Sequence, residues 1–379
     1  MPLYLTALNP TDAVTHGFLP AAARRGLAVV VLTDQPDAHR YDGVEVRRCQ
    51  VRDAGAIVAA VEGDADGLLS NSDHLQAATA QAAALLGLPG KDWRAAITCK
   101  NKLLTRRALA HLDPVAVAPI GDEPSAPKFP AVVKPREGVA SEDVVLVNNH
   151  EELVKRVAEI RSRRDDPLIV EEYLDGPLRT YETLGGRHFG GFRTSLGPPP
   201  FFAETALDWA PELPEPVRAH LEAQLDALGV GFGACHTEFV QQGDRARIVE
   251  VNYRLIGDTM DLLCTELLGV DLFDAVIGLH LGEPLPDLPD PVDLQRFARI
   301  EYVSATSAGT LVEAPQAQTI TAPGVTLTHR RLREPGVAAP LHHTNRDYLS
   351  AVHAIGADKQ AVHAAVREFV DSNTWRVTG

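Results

Sequence analysis

The chain has 379 residues, enough for two or three domains with cores of their own. A formal net charge of −15 argues against nucleic acid or an anionic membrane as partner, although salt screens that distant field and a local Lys, Arg or metal site can still hold a nucleotide. No apolar stretch approaches a membrane span, the first residues lack the basic and apolar regions of a secretory signal, and Cys49, Cys99, Cys235 and Cys264 are scattered without a CxxC pair, so a cytoplasmic protein with reduced, mostly buried thiols is expected.

Residues 3–8 read as a first strand, and a helix-like run through Ala21–Arg25 closes at Gly26. Leu27–Leu32 is a continuous apolar run of the kind buried in parallel sheets. Ile57–Val61 reads as helix and Gly67–Ser70 as a strand end. Asp73 to Leu86 reads as an alanine-rich helix stopped by Gly87-Leu88-Pro89-Gly90. This alternation over residues 1–95 predicts a small open α/β domain. No GxGxxG follows the first strand, so the usual dinucleotide fingerprint is absent. Ser70, Ser72 and Asp73 sit at a strand end, where ligands often bind, but helix capping by Ser72 or Asp73 is the reading favoured.

Lys102 and Arg106 lie one helical turn apart, which by itself predicts a solvated basic face. Residues 113–127, rich in Pro, Asp and Gly, read as a loop. Ala131–Lys134 reads as a strand ending in lysine, and Asp143–Val147 as its return. Between them, Gly138, Ala140 and Ser141 are small enough to let backbone N–H groups approach an anion. This is not a Walker A loop, which needs GxxxxGK[ST] before a helix. Glu151–Arg164 reads as a charged surface helix, and Leu168–Glu172 as a strand that ends in two carboxylates before turning at Asp175-Gly176-Pro177. Strands follow at Thr180–Leu184 and His188–Arg193. The proline-rich run after Leu196 cannot join a sheet interior; it places Arg193 or Glu204 near a substrate, or leaves both as surface charges. Val217, Leu221, Leu225 and Leu228 share one face of a helix over Pro214 to Gly229.

Residues 235–252 form two strand-like runs around a turn at Gly243-Asp244. A two-residue loop pairs Glu238 with Val249 and splits Glu238 from Glu250. A three-residue loop, or a bulge, pairs Glu238 with Glu250 and His236 with Asn252, and this second register is the one expected. Facing carboxylates repel unless a cation lies between them, and oxygen donors of this type suit Mg²⁺. A solvent-facing charged hairpin is the plain alternative. Beyond it, Thr259–Leu268 and Phe273–Gly282 read as helices and Pro284–Pro291 as a linker. Residues 296–379 mix strands at Arg299–Val303 and Thr326–Arg330 with helices at Tyr348–Ala354 and Lys359–Asn373.

His-x-Glu-Phe at 236–239 and Val-Glu-Val-Asn-x-Arg-x-x-Gly at 249–257 resemble the metal-binding end of ATP-grasp enzymes. The likeness is greatest to the carboxylate–amine branch, which includes L-amino acid ligases and, more distantly, D-alanine–D-alanine ligase and biotin carboxylase. Three more segments resemble the family in the same order. Lys102 opens a helix, with Asn101 where Asp is frequent; Val-Val-Lys-Pro, ending on Lys134 and Pro135, precedes a small-residue loop; and a linker follows Glu171. The resemblance covers residues 96–283 and reaches the flanks only in outline.

It implies an α/β protein of the α+β ATP-grasp type. Residues 1–95 would be the N-terminal open α/β domain, 96–283 the nucleotide- and metal-binding domains, and 284–379 a small C-terminal lid or accessory domain. The implied cofactors are ATP and Mg²⁺, with Mn²⁺ as a substitute. Glu238, Glu250 and Asn252 would hold the metal, and Lys102 and Lys134 would meet the α- and β-phosphates. Gly138 and Ser141 belong to the loop closing over the phosphates. Glu171 would meet the adenine amine, and the backbone of Tyr173 and Leu174 the ring edge. The family often has a ribose-holding glutamate near position 178; here Leu178 stands there, so Glu172 or Glu182 would serve. Arg254 and Lys134 are the expected catalytic residues, with Arg254 steadying an acyl phosphate. The implied reaction joins a small carboxylic acid to an amine, on amino acids or small acids of natural-product biosynthesis, with release of ADP and phosphate. The partners are then small molecules, and any self-association a homodimer. A carboxylase-type enzyme activating bicarbonate, a non-ligating nucleotide-binding protein and a non-enzymatic binding module are the alternatives.

Overall fold

The computed structural model describes residues 1–379. Its first sheet is parallel, in the order Glu45–Arg48, Val29–Thr33, Leu3–Thr6, Gly67–Ser70. The apolar runs of its inner strands are buried because helices cover both faces of such a sheet. The second sheet is antiparallel, in the order Val117–Pro119, Leu168–Glu172, Ala131–Pro135, Val145–Val147. The helix His150–Arg161 packs against it through Leu153, Val157 and Ile160.

The third sheet has ten strands and carries the hairpin at one edge. Its order runs Arg245–Asn252, Ala234–Gln242, Leu178–Leu184, Phe192–Leu196, Glu204–Trp209, Phe297–Ser304, Tyr348–Gly356, Val325–Arg331 and Gln318–Ala322, and the tenth strand, Arg187–Gly190, pairs off this path with Leu178–Leu184. Residues beyond 284 therefore extend the sheet that begins with the hairpin, through the pairing of Ala206 with Glu301 and Leu207 with Ile300. A small sheet of Ala338–Ala339, Gly309–Glu313 and Arg376–Thr378 lies beyond it. No helix is long and apolar enough to cross a membrane.

One core joins these layers. Leu3, Leu5, Val31 and Leu69 of the parallel sheet pack with Leu263, Leu267, Phe273 and Ile277 from the helices Met260–Leu268 and Leu272–His280. The same cluster continues to Ile300, Tyr302, Ala351 and Ile355 of the large sheet. The first sheet is thereby held against the large one, with a cleft on the side where their loops meet.

The helix expected at Tyr348–Ala354 is instead the strand Tyr348–Gly356, buried along its whole length. Its side chains face apolar layers on both sides, Ala351 and Ile355 in the main core and Val352 and Ala354 under the helix Lys359–Ser372. Burial on both faces removes the two-residue alternation by which a strand is recognised. The strands Glu45–Arg48, Gly309–Glu313 and Gln318–Ala322 were not anticipated either; they are short and polar, and Gln318–Ala322 is exposed throughout.

Ile300 is fully buried where the large sheet meets the shared core. Ile300→Ala should cost about 2–5 kcal/mol of stability, read as a lower urea midpoint at unchanged slope.

Candidate active site

The hairpin adopts the register that brings its carboxylates together. Gln242 pairs with Arg245, so the loop is the two residues Gly243 and Asp244, with Gly243 at φ +58°. A register shift between Glu238 and Phe239 makes Val249 an extra residue, and beyond it Glu238 pairs with Glu250 and His236 with Asn252. The bulge, and not a longer loop, realises the expected pairing.

Each glutamate is held by a cation on its own side. Lys102 Nζ donates to Glu250 Oε1 at 2.8 Å. Burial would lower the Lys102 pKa, but the Glu250 charge outweighs it and raises it. His236 lies between Glu182 (Nδ1 to Oε1, 2.8 Å) and Glu238 (Nε2 to Oε1, 3.4 Å). Burial favours the neutral ring, yet these two carboxylates raise its pKa to about 10 and keep the imidazolium. Burial alone would raise Glu238; the His236 hydrogen bond and the charges of His236, Lys102 and Arg254 hold it low.

Arg106, expected on a solvated face, is buried. Its Nε and Nη2 grip Glu171 at 2.9 and 3.1 Å, and Nη1 donates to the Ile248 carbonyl of the hairpin. Lys134 pairs with the same Glu171 carboxylate from the other side. Burial would raise the Glu171 pKa, but the two cations outweigh it and lower it to about 2. The Glu171 side chain is thus held between Arg106 and Lys134. The Tyr173 N–H is likewise taken, by the Pro130 carbonyl at 3.0 Å, whereas the Leu174 N–H has no backbone partner.

The loop after Lys134 has Ala140 and Ser141 in the left-handed region, at φ +57° and +55°. The Gly138 carbonyl accepts from Lys100 at 3.2 Å and Lys102 at 3.4 Å. The loop is tied down by Arg163 and Arg164 on Asp143 (2.6 and 3.1 Å) and by Arg346 on Glu142 (3.3 Å).

A cavity of about 570 Å³ gathers most of these groups: Lys102, Lys134, Gly138, Ser141, Glu171, Glu172, Tyr173, Leu174, Glu238, Glu250, Asn252 and Arg254. Glu182 is absent from its lining. It is fully buried behind His236, so of the two glutamates considered for a ribose only Glu172 reaches the cavity. Arg193 is an exposed surface charge, while Glu204 lines the cavity.

The capping role given to Ser72 and Asp73 does not hold. Ser72 makes no side-chain cap, and Asp73 is a buried partner of Lys100 on the cavity wall. Asp258 and Asp261 also line the cavity and were missed, because a lone aspartate after the hairpin carries no local signal. Arg254 donates through Nη1 to the Leu255 carbonyl at 2.7 Å and pairs with no carboxylate within 4.0 Å. Its charge acts on Asp73, Glu238, Asp258 and Asp261 alike.

No three His, Cys, Asp or Glu side chains converge as a ready-made metal centre. Glu238, Glu250 and Asn252 nonetheless put hard oxygen donors on one face of the paired strands. Such a set fits a cation that keeps water and draws further oxygens from a phosphate, as Mg²⁺ does.

No protein-family model matches the sequence. Protein y4rH of Sinorhizobium fredii, uncharacterized, is 27% identical over 308 residues, and carnosine synthase 1 of Homo sapiens is 27% identical over 258. These alignments cover 74% and 57% of this chain, and the chain spans less than two thirds of either relative, 64% and 31%. Solved ATP-grasp enzymes superpose over the whole chain, which therefore has the ATP-grasp fold. The L-amino acid ligase from Bacillus licheniformis gives a TM-score of 0.81 at 22% identity, covering 100% of this chain and 99% of that one. Biotin carboxylase from Campylobacter jejuni, solved in a beta-gamma-ATP complex, gives 0.70 at 16% identity, covering 99% and 92%.

Glu171→Gln leaves Arg106 and Lys134 buried with no counter-charge and should cost about 3–5 kcal/mol. A carboxylate with a lowered native pKa stabilises above its ordinary value and loses that contribution as pH falls through the native one. The wild-type advantage should therefore be full above pH 4.5 and shrink towards pH 2, measured by urea unfolding across that range.

Proposed function

We propose that the chain is an ATP-dependent carboxylate–amine ligase that forms an amide bond through an acyl phosphate and releases ADP and phosphate. The observation that carries this reading is the register that sets Glu238 opposite Glu250, with Asn252 on the same face and Lys102 on Glu250. The whole-chain likeness to an L-amino acid ligase supports the choice of branch. In this reading residues 1–95 and 284–379 flank a nucleotide- and metal-binding centre at 96–283.

Glu238, Glu250 and Asn252 would hold Mg²⁺, which when bound spreads the negative charge of the phosphate oxygens. Lys102 and Lys134 reach the cavity from beneath the loop 138–141 and would neutralise the α- and β-phosphates. Arg106 and Glu171 fix Lys134 in place. Leu174 offers an open N–H, and Leu178 and Val249 apolar contacts, to an adenine ring. Glu172 is the remaining glutamate for the ribose.

The substrate carboxylate attacks the γ-phosphorus, its oxygen forming the new P–O bond as the bond to ADP breaks. The amine nitrogen then attacks the acyl carbon. The C–O bond to phosphate breaks, and the amine proton leaves to solvent. Arg254, free of any carboxylate partner, would face the charge that grows on the acyl oxygen and phosphoryl group. The loop 138–143 would exclude water that competes with the amine.

Purified protein with Mg²⁺ and ATP should release ADP and phosphate only with particular acid–amine pairs, and mass spectrometry should find the product as their sum minus one water. Release driven by bicarbonate without an amine would instead support the carboxylase reading. Glu250→Gln should lower turnover by about a hundredfold or more with folding preserved, and full activity would remove it from metal binding. Arg254→Ala should lower turnover comparably while leaving ATP binding, followed by calorimetry, largely intact.

A further inference from the structure

The cavity changes sign along its length. Lys134 and Lys102 stand at one end, beside Glu171 and Glu250. Glu204, Asp258 and Asp261 form an acidic end of the same cavity, where the charges of Glu238 and Asp258 act on Glu204 and that of Asp258 acts on Asp261, and none has a Lys, Arg or His within 4.0 Å. The carboxylate of the half-buried Glu204 accepts only from Asn345 Nδ2, at 3.3 Å. Asp258 opens to the cavity, its backbone carbonyl tied to Tyr302 Oη at 2.9 Å. Asp261 is 1% exposed; its Oδ1 accepts from the Leu262 N–H at 2.9 Å, and its Oδ2 has no partner. Thr259 is 3% exposed, lines the same end, and its Oγ1 is also without a partner.

Buried acceptors without donors cost free energy unless a ligand supplies them. Three carboxylates and a hydroxyl call for a cation with several N–H donors. No three His, Cys, Asp or Glu side chains close in tightly enough to hold a metal ion, whereas an ammonium group is held at longer hydrogen-bond distances and tolerates a looser set of acceptors. Leu207, Ile256, Met260 and Tyr302 give the same cavity an apolar lining. Such a surface suits the methylene stem of an alkylammonium group.

We propose that the acidic end formed by Glu204, Asp258 and Asp261 holds an alkylammonium group, so that the amine substrate is a basic amino acid or diamine. The assignment rests on the ligase reading for the word substrate, but the binding site itself does not. One amine of the ligand sits as an ammonium ion among the carboxylates, with Thr259 Oγ1 accepting a further N–H. The other lies towards Arg254, where the activated carbonyl would be.

The test is calorimetric titration of the full chain, with Mg²⁺ and a non-hydrolysable ATP analogue, with lysine, ornithine, 1,5-diaminopentane and norleucine. Norleucine keeps the stem and lacks the terminal ammonium. At least one diamino ligand should bind about tenfold more tightly than norleucine. Glu204→Gln and Asp261→Asn should each reduce that preference to about threefold or less, with melting curves confirming that both variants fold. Equal binding of norleucine, binding by no member of the panel, or a preference intact in both variants would overturn the site. ADP release is read separately. Lysine binding without ADP release from any acid–amine pair would sink the ligase reading while leaving the ammonium site standing. ADP release that ignores the terminal ammonium would do the reverse.

Discussion

Two carboxylates at directly opposed positions of an antiparallel pair repel each other, and a sheet adopts such a pairing only when other charges offset it. Glu238 and Glu250 are in that position, with His236 behind one and Lys102 behind the other. Much of the surrounding structure serves this arrangement. His236 stays protonated because Glu182 lies behind it in a dry interior. Lys102 arrives because Asn101 caps the helix Lys102–Leu109 and points its first turn at the hairpin. Arg106, one turn on, binds the hairpin backbone at Ile248 and fastens the second sheet through Glu171. Lys91, buried and donating to the Tyr253 carbonyl and to Gln76, ties the hairpin's end to the helix Gln76–Leu86.

The charges in the cleft are therefore of two kinds. Those on the lysine side are paired within the protein, so a polyanion entering there exchanges one set of partners for another. Those at Glu204, Asp258 and Asp261 are not paired, and their cost shows: burial and the Glu238 charge push the Glu204 carboxyl up to about 8, and burial pushes Asp261 up to about 7. Carboxyls displaced this far towards the protonated form cluster at sites that bind or react.

The hairpin could be read from sequence because its residues carry strand periodicity, turn chemistry and charge within one short stretch. Even so, periodicity left two registers open, and the bulge at Glu238 decided between them. Other features depended on distant chain. Arg106 looked solvent-facing because its partner Glu171 is far away in sequence. Asp73 looked like a cap because nothing nearby announced Lys100. Tyr348–Gly356 looked helical because both its faces are covered. The acidic end of the cavity unites residues from separate loops, a convergence that only the packing of the sheets creates.

The continuity of the large sheet also bears on synthesis of the chain. The cavity wall includes Asp12 near the beginning, the hairpin in the middle, and Asn345 and Arg346 late in the sequence. Glu204 takes its contacts from Asn345 and Tyr348, and its strand is two places from the fully buried strand Tyr348–Gly356. A ribosome must pass residue 356 before that strand can be inserted. Until then Glu204 lacks the Asn345 amide and the Tyr348 hydroxyl that contact it, and the cavity wall beside it is incomplete. Completion of the sheet is thus the step that closes the cavity wall around Glu204.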